Sequence, residues 1–172
     1  MEPALAHAIA VRNHVGQRNR FGDPVIDHVE RVAGAVPPDA CATALLHDLL
    51  ELCPTARWQL RGKDLTRTER EALELLTHAA SEPYKVYVRR IAAAPGPAGQ
   101  LARTVKLADL EDHLAHPSIP ADAPPYAWAR AQLLSTHERS VDAATRRPPS
   151  STSAGRPAQR RDLEPVEFVM DR

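Results

Sequence analysis

Apolar positions fall in short periodic runs separated by polar, proline- and glycine-bearing breaks, and this punctuation predicts a chain of helices. Residues 4–14 read as a first helix, with Leu5, Ala8, Ile9 and Val15 towards the interior. The polar stretch from Gly16 to Pro24 is a loop, after which Asp23 is a plausible N-cap for a helix running to about Val36. Pro37-Pro38-Asp39 breaks the chain again. Residues 40–52, ACATALLHDLLEL, carry Leu and Ala all the way round, which predicts a central, buried helix ended by Pro54. A short helix or turn covers 55–61. Thr66 opens the next helix, with Glu69 three residues on as a capping box and Ala72, Leu73, Leu75 and Leu76 leading to Thr77. Further helices are expected over 82–93, 98–115 and 126–142, set apart by Pro95-Gly96-Pro97 and by the prolines at 117, 120, 124 and 125. The expected fold is all-α: a single irregular bundle of about six to eight helices over residues 1–142.

Composition sharpens this picture at the C-terminal end. From Ala143 to Arg161 there is no acid and no Val, Ile, Leu or Phe, while five arginines are mixed with Pro and Ser. Such a segment buries too little to offset its ordering entropy, so residues 143–172 are expected to be a disordered tail, its arginines solvated. Over the whole chain 43% of the 172 residues are apolar but only 4% aromatic, a bias to helix over sheet. Basic and acidic residues balance at 22 each, which disfavours a nucleic-acid binder. No run approaches about 18 apolar residues and the N-terminal stretch has no secretory pattern, so neither a membrane span nor export is expected and the cytoplasm is the default location. Cys41 and Cys53 form no metal-like pair and read as reduced, buried thiols.

Chemistry concentrates at His47 and Asp48, inside the most apolar predicted helix. Burying an ionised carboxylate there costs several kcal/mol unless something neutralises it, either neighbouring side chains or a cation. His28 lies on a stripe with Val25, Val32 and Val36, and Asp109 sits among Val105, Leu107, Ala108 and Leu110. Each alone reads equally as a core histidine or a carboxylate paired with a neighbouring base. Together they form a set of two histidines and two carboxylates on three helices, suited to a divalent ion such as Mn²⁺, Fe²⁺ or Zn²⁺.

The order H…HD…D resembles that of HD-superfamily metal-dependent phosphohydrolases, and the surrounding blocks are similar to the guanosine-tetraphosphate (ppGpp) hydrolase branch. The blocks are HVGQRNRFGDPVIDHVERVA at 14–33, ALLHDLLE at 44–51, LTHAASEPYKVYVRRIA at 76–92 and TVKLADLEDH at 104–113, and the resemblance spans about residues 4–115. It implies His28, His47, Asp48 and Asp109 as metal ligands, Mn²⁺ first among the candidate ions with Fe²⁺, Zn²⁺ or Mg²⁺ behind it. It implies Glu51 as the residue that activates the attacking water, and Arg18, Lys106 and His113 beside the substrate. The implied activity is hydrolysis of a phosphate ester or pyrophosphate bond of a nucleotide or other phosphorylated small molecule. The chain departs from that pattern at Leu52, where the family has a second acidic residue, at Val25 for Tyr, at Val29 for Pro and at His113 for Asn. Leu52 favours an alternative, a catalytically weak or inactive HD domain that binds nucleotide or metal as a sensor. A helical interaction module using the arginine-rich tail is a third reading. Residues outside the pattern have plainer readings. His14 is a structural polar group or a phosphate contact, Lys106 a solvated residue or an anion contact, and Trp58 and Trp128 are packing residues. His7, His78, His116 and His137 are expected at the surface.

Overall fold

The computed structural model describes residues 1–62, 64–116, 119 and 123–145, with side chains through residue 136. Among the described residues the structure is all-α, with an isolated antiparallel bridge between Arg18 and Pro24 and no strand. The helices are α1 (Pro3–Asn13), α2 (Val25–Gly34), α3 (Cys41–Leu45), α4 (Leu49–Leu52), α5 (Ala56–Leu60), α6 (Arg67–Leu76), α7 (Tyr84–Ala93), α8 (Gly96–Ala115) and α9 (Tyr126–Thr145), with a 3₁₀ turn at Pro38–Ala40. The boundary expected at 142 therefore falls inside α9. The tail expected to be disordered lies, from residue 146, outside the described residues, as does the side chain of His137. No described helix is long and apolar enough to cross a membrane.

Helix α8 is the axis of the fold: α2, α6, α7 and α9 all pack on it, and α3 lies against α1, α2 and α6. Its inward face is made largely of small residues, Ala98, Gly99, Ala102 and Ala108, with Val105 and Leu110, so neighbouring helices approach closely. The helix ends are closed by side chains from the next element. Arg103 of α8, 4% exposed, donates from one guanidinium nitrogen to Ala94 O (2.6 Å), Ile91 O (3.3 Å) and Ala92 O (3.4 Å), satisfying the C-terminal carbonyls of α7. Tyr87 and Arg90 of α7 do the same for α6, donating to Leu76 O, Leu75 O and Thr77 O. The capping box at Thr66 and Glu69 forms as expected.

Four expectations need correction. The helix expected over 40–52 is two pieces, broken at Leu46–Asp48, where Leu46, His47 and Leu49 donate their N–H groups three residues back rather than four. All-round Leu and Ala patterning fits both the α-helix and this tighter turn, so periodicity could not separate them. On α1 the buried residues are Ala6, Ile9 and Ala10, while Leu5 and Val15 are exposed, because alanines left the phase of the stripe undetermined. Pro24, not Asp23, takes the N-cap position of α2. Trp58 is also not a packing residue; it is 64% exposed, with the Arg61 guanidinium 3.9 Å above its ring. Trp128 does pack on the core, and both cysteines are free and half-buried.

Gly99 yields a test of the α7–α8 junction. A Cβ at this position would lie 2.1 Å from Ala94 O, the carbonyl that Arg103 caps. Gly99→Ala should therefore destabilise the protein by about 1–3 kcal/mol in urea unfolding, although alanine is the better helix former.

Candidate metal centre

Three elements bring ionisable groups to one place. Helix α2 contributes His28, 1% exposed, from the face that also buries Val25, Val29 and Val32. The Leu46–Asp48 turn contributes His47 and Asp48, with His47 Nε2 close to the Asp48 carboxylate. Helix α8 contributes Asp109, 1% exposed, with Lys106 and His113 one turn before and after it.

His28 Nε2 is 3.1 Å from Asp109 Oδ1 and 3.8 Å from Asp48 Oδ2; His47 Nε2 is 3.2 Å from Asp48 Oδ1 and 3.7 Å from Asp109 Oδ1. Two ligand atoms about 2.1 Å from one ion lie about 3–3.5 Å apart, so the two shorter separations match a shared cation and the two longer ones lie just beyond it. The other face of each ring fixes which nitrogen is available. His28 Nδ1 donates to Asp112 Oδ2 at 2.7 Å, and His47 Nδ1 donates to Ala44 O at 2.7 Å. Both Nε2 atoms are buried, make no hydrogen bond of good geometry among the described residues, and face the two carboxylates. Asp112 is itself held by Arg31, with contacts of 2.6 and 3.0 Å.

Asp109 divides its two oxygens. Oδ2 faces Lys106 Nζ at 2.6 Å, and Oδ1 faces His28, His47 and, at 3.1 Å, His113 Nε2. Lys106 is thus mostly buried rather than a solvated helix residue, with its ammonium also 5.2 Å from the centre of the Tyr87 ring. His113 belongs to the same cluster of histidines and carboxylates. It stacks on His28 at 4.8 Å and on Tyr126 at 4.7 Å. His28, His47, Asp48, Asp109 and His113 form groups that could hold a divalent metal ion.

The electrostatics of this cluster are those of a charge-dense, water-poor site. Burial opposes ionisation of Asp109, but Lys106, His113, His28 and His47 outweigh it and hold the carboxyl well below its ordinary range. Burial likewise opposes a proton on His28, yet Asp109, Asp112 and Asp48 raise it to about 10. His47 rises for the same reasons, with Asp48 the largest favourable contribution.

A cleft of about 340 Å³ opens over the cluster. Glu51, Leu52, Lys106, Arg18 and Arg20 line it, with Tyr84 and Tyr126 as aromatic wall. Glu51 accepts the His78 N–H at Oε2 (3.1 Å), and burial followed by the Asp48 charge raises its carboxyl above the ordinary range. Arg18 and Arg20 come from the 14–24 loop. Asn19 Oδ1 accepts the N–H groups of Phe21 and Asp23 there, and Gly16 and Gly22 take positive φ, so the loop is a compact, braced turn. Arg18 donates to Gly22 O at 2.6 Å. Tyr84 Oη is buried without a partner.

All eight residues expected at the site thus lie in or around one cleft. Asp112, Arg31, Arg20, Tyr84 and Tyr126 were not anticipated. Asp112 had a signal: Lys106, Asp109, Asp112 and His113 recur at three- and four-residue spacing on one face of an otherwise apolar helix. Of the histidines outside the cluster, His14 is buried and bound to Gln17 as a structural polar group, and His7 is exposed. His78 and His116 are half-buried, His78 bonded to Glu82 O and His116 stacked on Phe21, instead of standing at the surface. Comparison with protein-family models and with curated proteins finds no match for this chain.

Three outcomes follow, the first for the metal-free protein. The folded pKa of His28 lies above its unfolded value of 6.5, so the stability it contributes is complete below pH 6.5 and is lost as pH rises towards 10. In metal-free protein, melting temperature should show this decline between those limits. Adding Mn²⁺ at pH 7 should release protons, and apparent affinity should weaken as pH falls, measured by calorimetry in buffers of different ionisation enthalpy. Asp112→Asn, which removes the charge that orients His28, should weaken metal binding by about 10–100-fold.

Proposed function

We propose that this chain is a metal-dependent phosphohydrolase of HD type, acting on a nucleotide or other phosphorylated small molecule. The reading is carried by one observation: two buried imidazoles, each with its outer nitrogen hydrogen-bonded away, turn free Nε2 atoms towards two aspartates at the floor of a cleft. The fit to a cation is supported by those two nitrogens, which would give up their protons to an ion, and by the separations among the four groups. A divalent ion bound there would supply charge neutralisation at phosphate and acidify a water molecule. Imidazole with carboxylate suits Mn²⁺, Fe²⁺ or Zn²⁺.

The chain's own residues would do the following. Glu51 takes a proton from the attacking water; its Oε2 is held by the His78 N–H, and its raised pKa moves it towards the range of a base working at neutral pH. Water oxygen attacks phosphorus, the bond to the leaving group breaks, and that proton rests on Glu51. Lys106, Arg18 and Arg20 line the cleft as fixed positive charge for the phosphate oxygens, and Tyr84 and Tyr126 give flat surfaces for a base. Leu52 also lines the cleft and can neither accept a proton nor orient water, so Glu51 acts alone. That feature supports a second reading, a sensor that holds metal and nucleotide with little or no turnover.

Phosphate release from a nucleotide panel with Mn²⁺ should separate the two. Slow hydrolysis is expected, abolished by Asp48→Ala. Glu51→Gln should lower turnover on the order of 10²-fold while leaving metal content nearly unchanged, and Leu52→Asp should raise it. Metal-loaded protein inactive on every phosphate compound would leave the sensor reading standing; full activity in Glu51→Gln would reject Glu51 as the base.

A further inference from the structure

We infer that a second cavity, on the opposite side of α4 from the metal cleft, binds a small amphipathic anion: a flat apolar body carrying a phosphate or carboxylate. This cavity, of about 270 Å³, shares no lining residue with the metal cleft. Its floor is Leu50, Leu60, Leu65 and Leu73, all buried, and its rim carries Arg57, Arg61 and Arg70.

The three arginines are not equivalent. Arg57 is answered by Glu74 in a two-point ion pair. Arg61 and Arg70 have no carboxylate partner among the described residues. Arg61 is braced over the Trp58 ring at 3.9 Å, and Arg70 gives one N–H to Leu65 O at 3.3 Å. Two guanidinium groups, each restrained by a neighbour and with donors to spare, thus stand beside an apolar concavity. An inorganic anion would answer the charge but leave the leucines wet, and an apolar molecule would strip water from the guanidiniums with nothing in return. A ligand with both parts satisfies both surfaces, and guanidinium groups favour planar, two-point contact with phosphate or carboxylate. The wall between the two cavities is one helical turn, since Leu50 faces this cavity while Glu51 and Leu52 face the metal cleft.

The test is calorimetric titration of the full chain with phenylphosphonate, benzoate and inorganic phosphate, alongside emission from Trp58 in a Trp128→Phe background. At least one aryl anion should bind one site per chain at least about tenfold more tightly than inorganic phosphate, with a saturable change in Trp58 emission. Which of phenylphosphonate and benzoate binds better identifies the head group. The double variant Arg61→Gln/Arg70→Gln should weaken binding by about tenfold or more, the size of one charge-assisted hydrogen bond. Arg61→Lys/Arg70→Lys, which keeps both charges, should lose less. Asp48→Ala should leave binding unchanged. The inference is overturned if neither aryl anion exceeds phosphate, if binding disappears in Asp48→Ala and so belongs to the metal cleft, or if the glutamine and lysine pairs behave alike.

Discussion

A carboxylate buried as deeply as Asp109 must be neutralised where it stands, and the placement of the surrounding elements follows from that need. Its own helix supplies Lys106 and His113. The remaining partners come from α2 and from the turn between α3 and α4, so those elements must pack against α8 at one level along its axis. The small residues on the inward face of α8 permit the approach, and the continuous apolar core around it keeps water from competing for the charges. The site is thus a requirement of the core as well as a feature placed upon it. Removing any one partner leaves a buried charge exposed to its own desolvation cost.

How much of this was legible in the chain depended on what kind of signal each element carried. Helices with clear stops were readable: the capping box at Thr66, the breaks at Pro37-Pro38 and Pro95-Gly96-Pro97, and the apolar stripe of α2. Alanine-rich α1 was readable as a helix but not in phase, because Ala is at home on either face. The break at Leu46–Asp48, which carries His47 and Asp48, was hidden by a leucine run that looks the same to either helical period. His28, His47, Asp48 and Asp109 stood out as ligand types in apolar surroundings. Arg31 and Arg20 did not, because nothing local distinguishes a surface arginine that braces an aspartate or lines a cleft from one that is solvated.

The cleft also has an asymmetric charge distribution. Carboxylates gather at its floor and at Glu51, while Arg18, Arg20 and Lys106 lie along its wall. A ligand rich in negative charge would be drawn to that wall, and a cation on the floor would change its preferred depth. Two of the sequence departures noted above, Leu52 and Val25, line this same surface. Leu52 removes one negative group from the cleft, and Val25 replaces an aromatic contact with a smaller apolar one.

The bonds that tie His28 to Asp112 and His47 to Ala44 O have one more consequence, for selectivity. Each ring has lost its rotational freedom during folding, so an arriving ion need not order it again. The two imidazole donors are therefore less able than free side chains to follow a smaller or larger ion. A divalent ion held by such donors would be selected by ionic radius and by tolerance for nitrogen, which would disfavour large oxygen-seeking ions such as Ca²⁺.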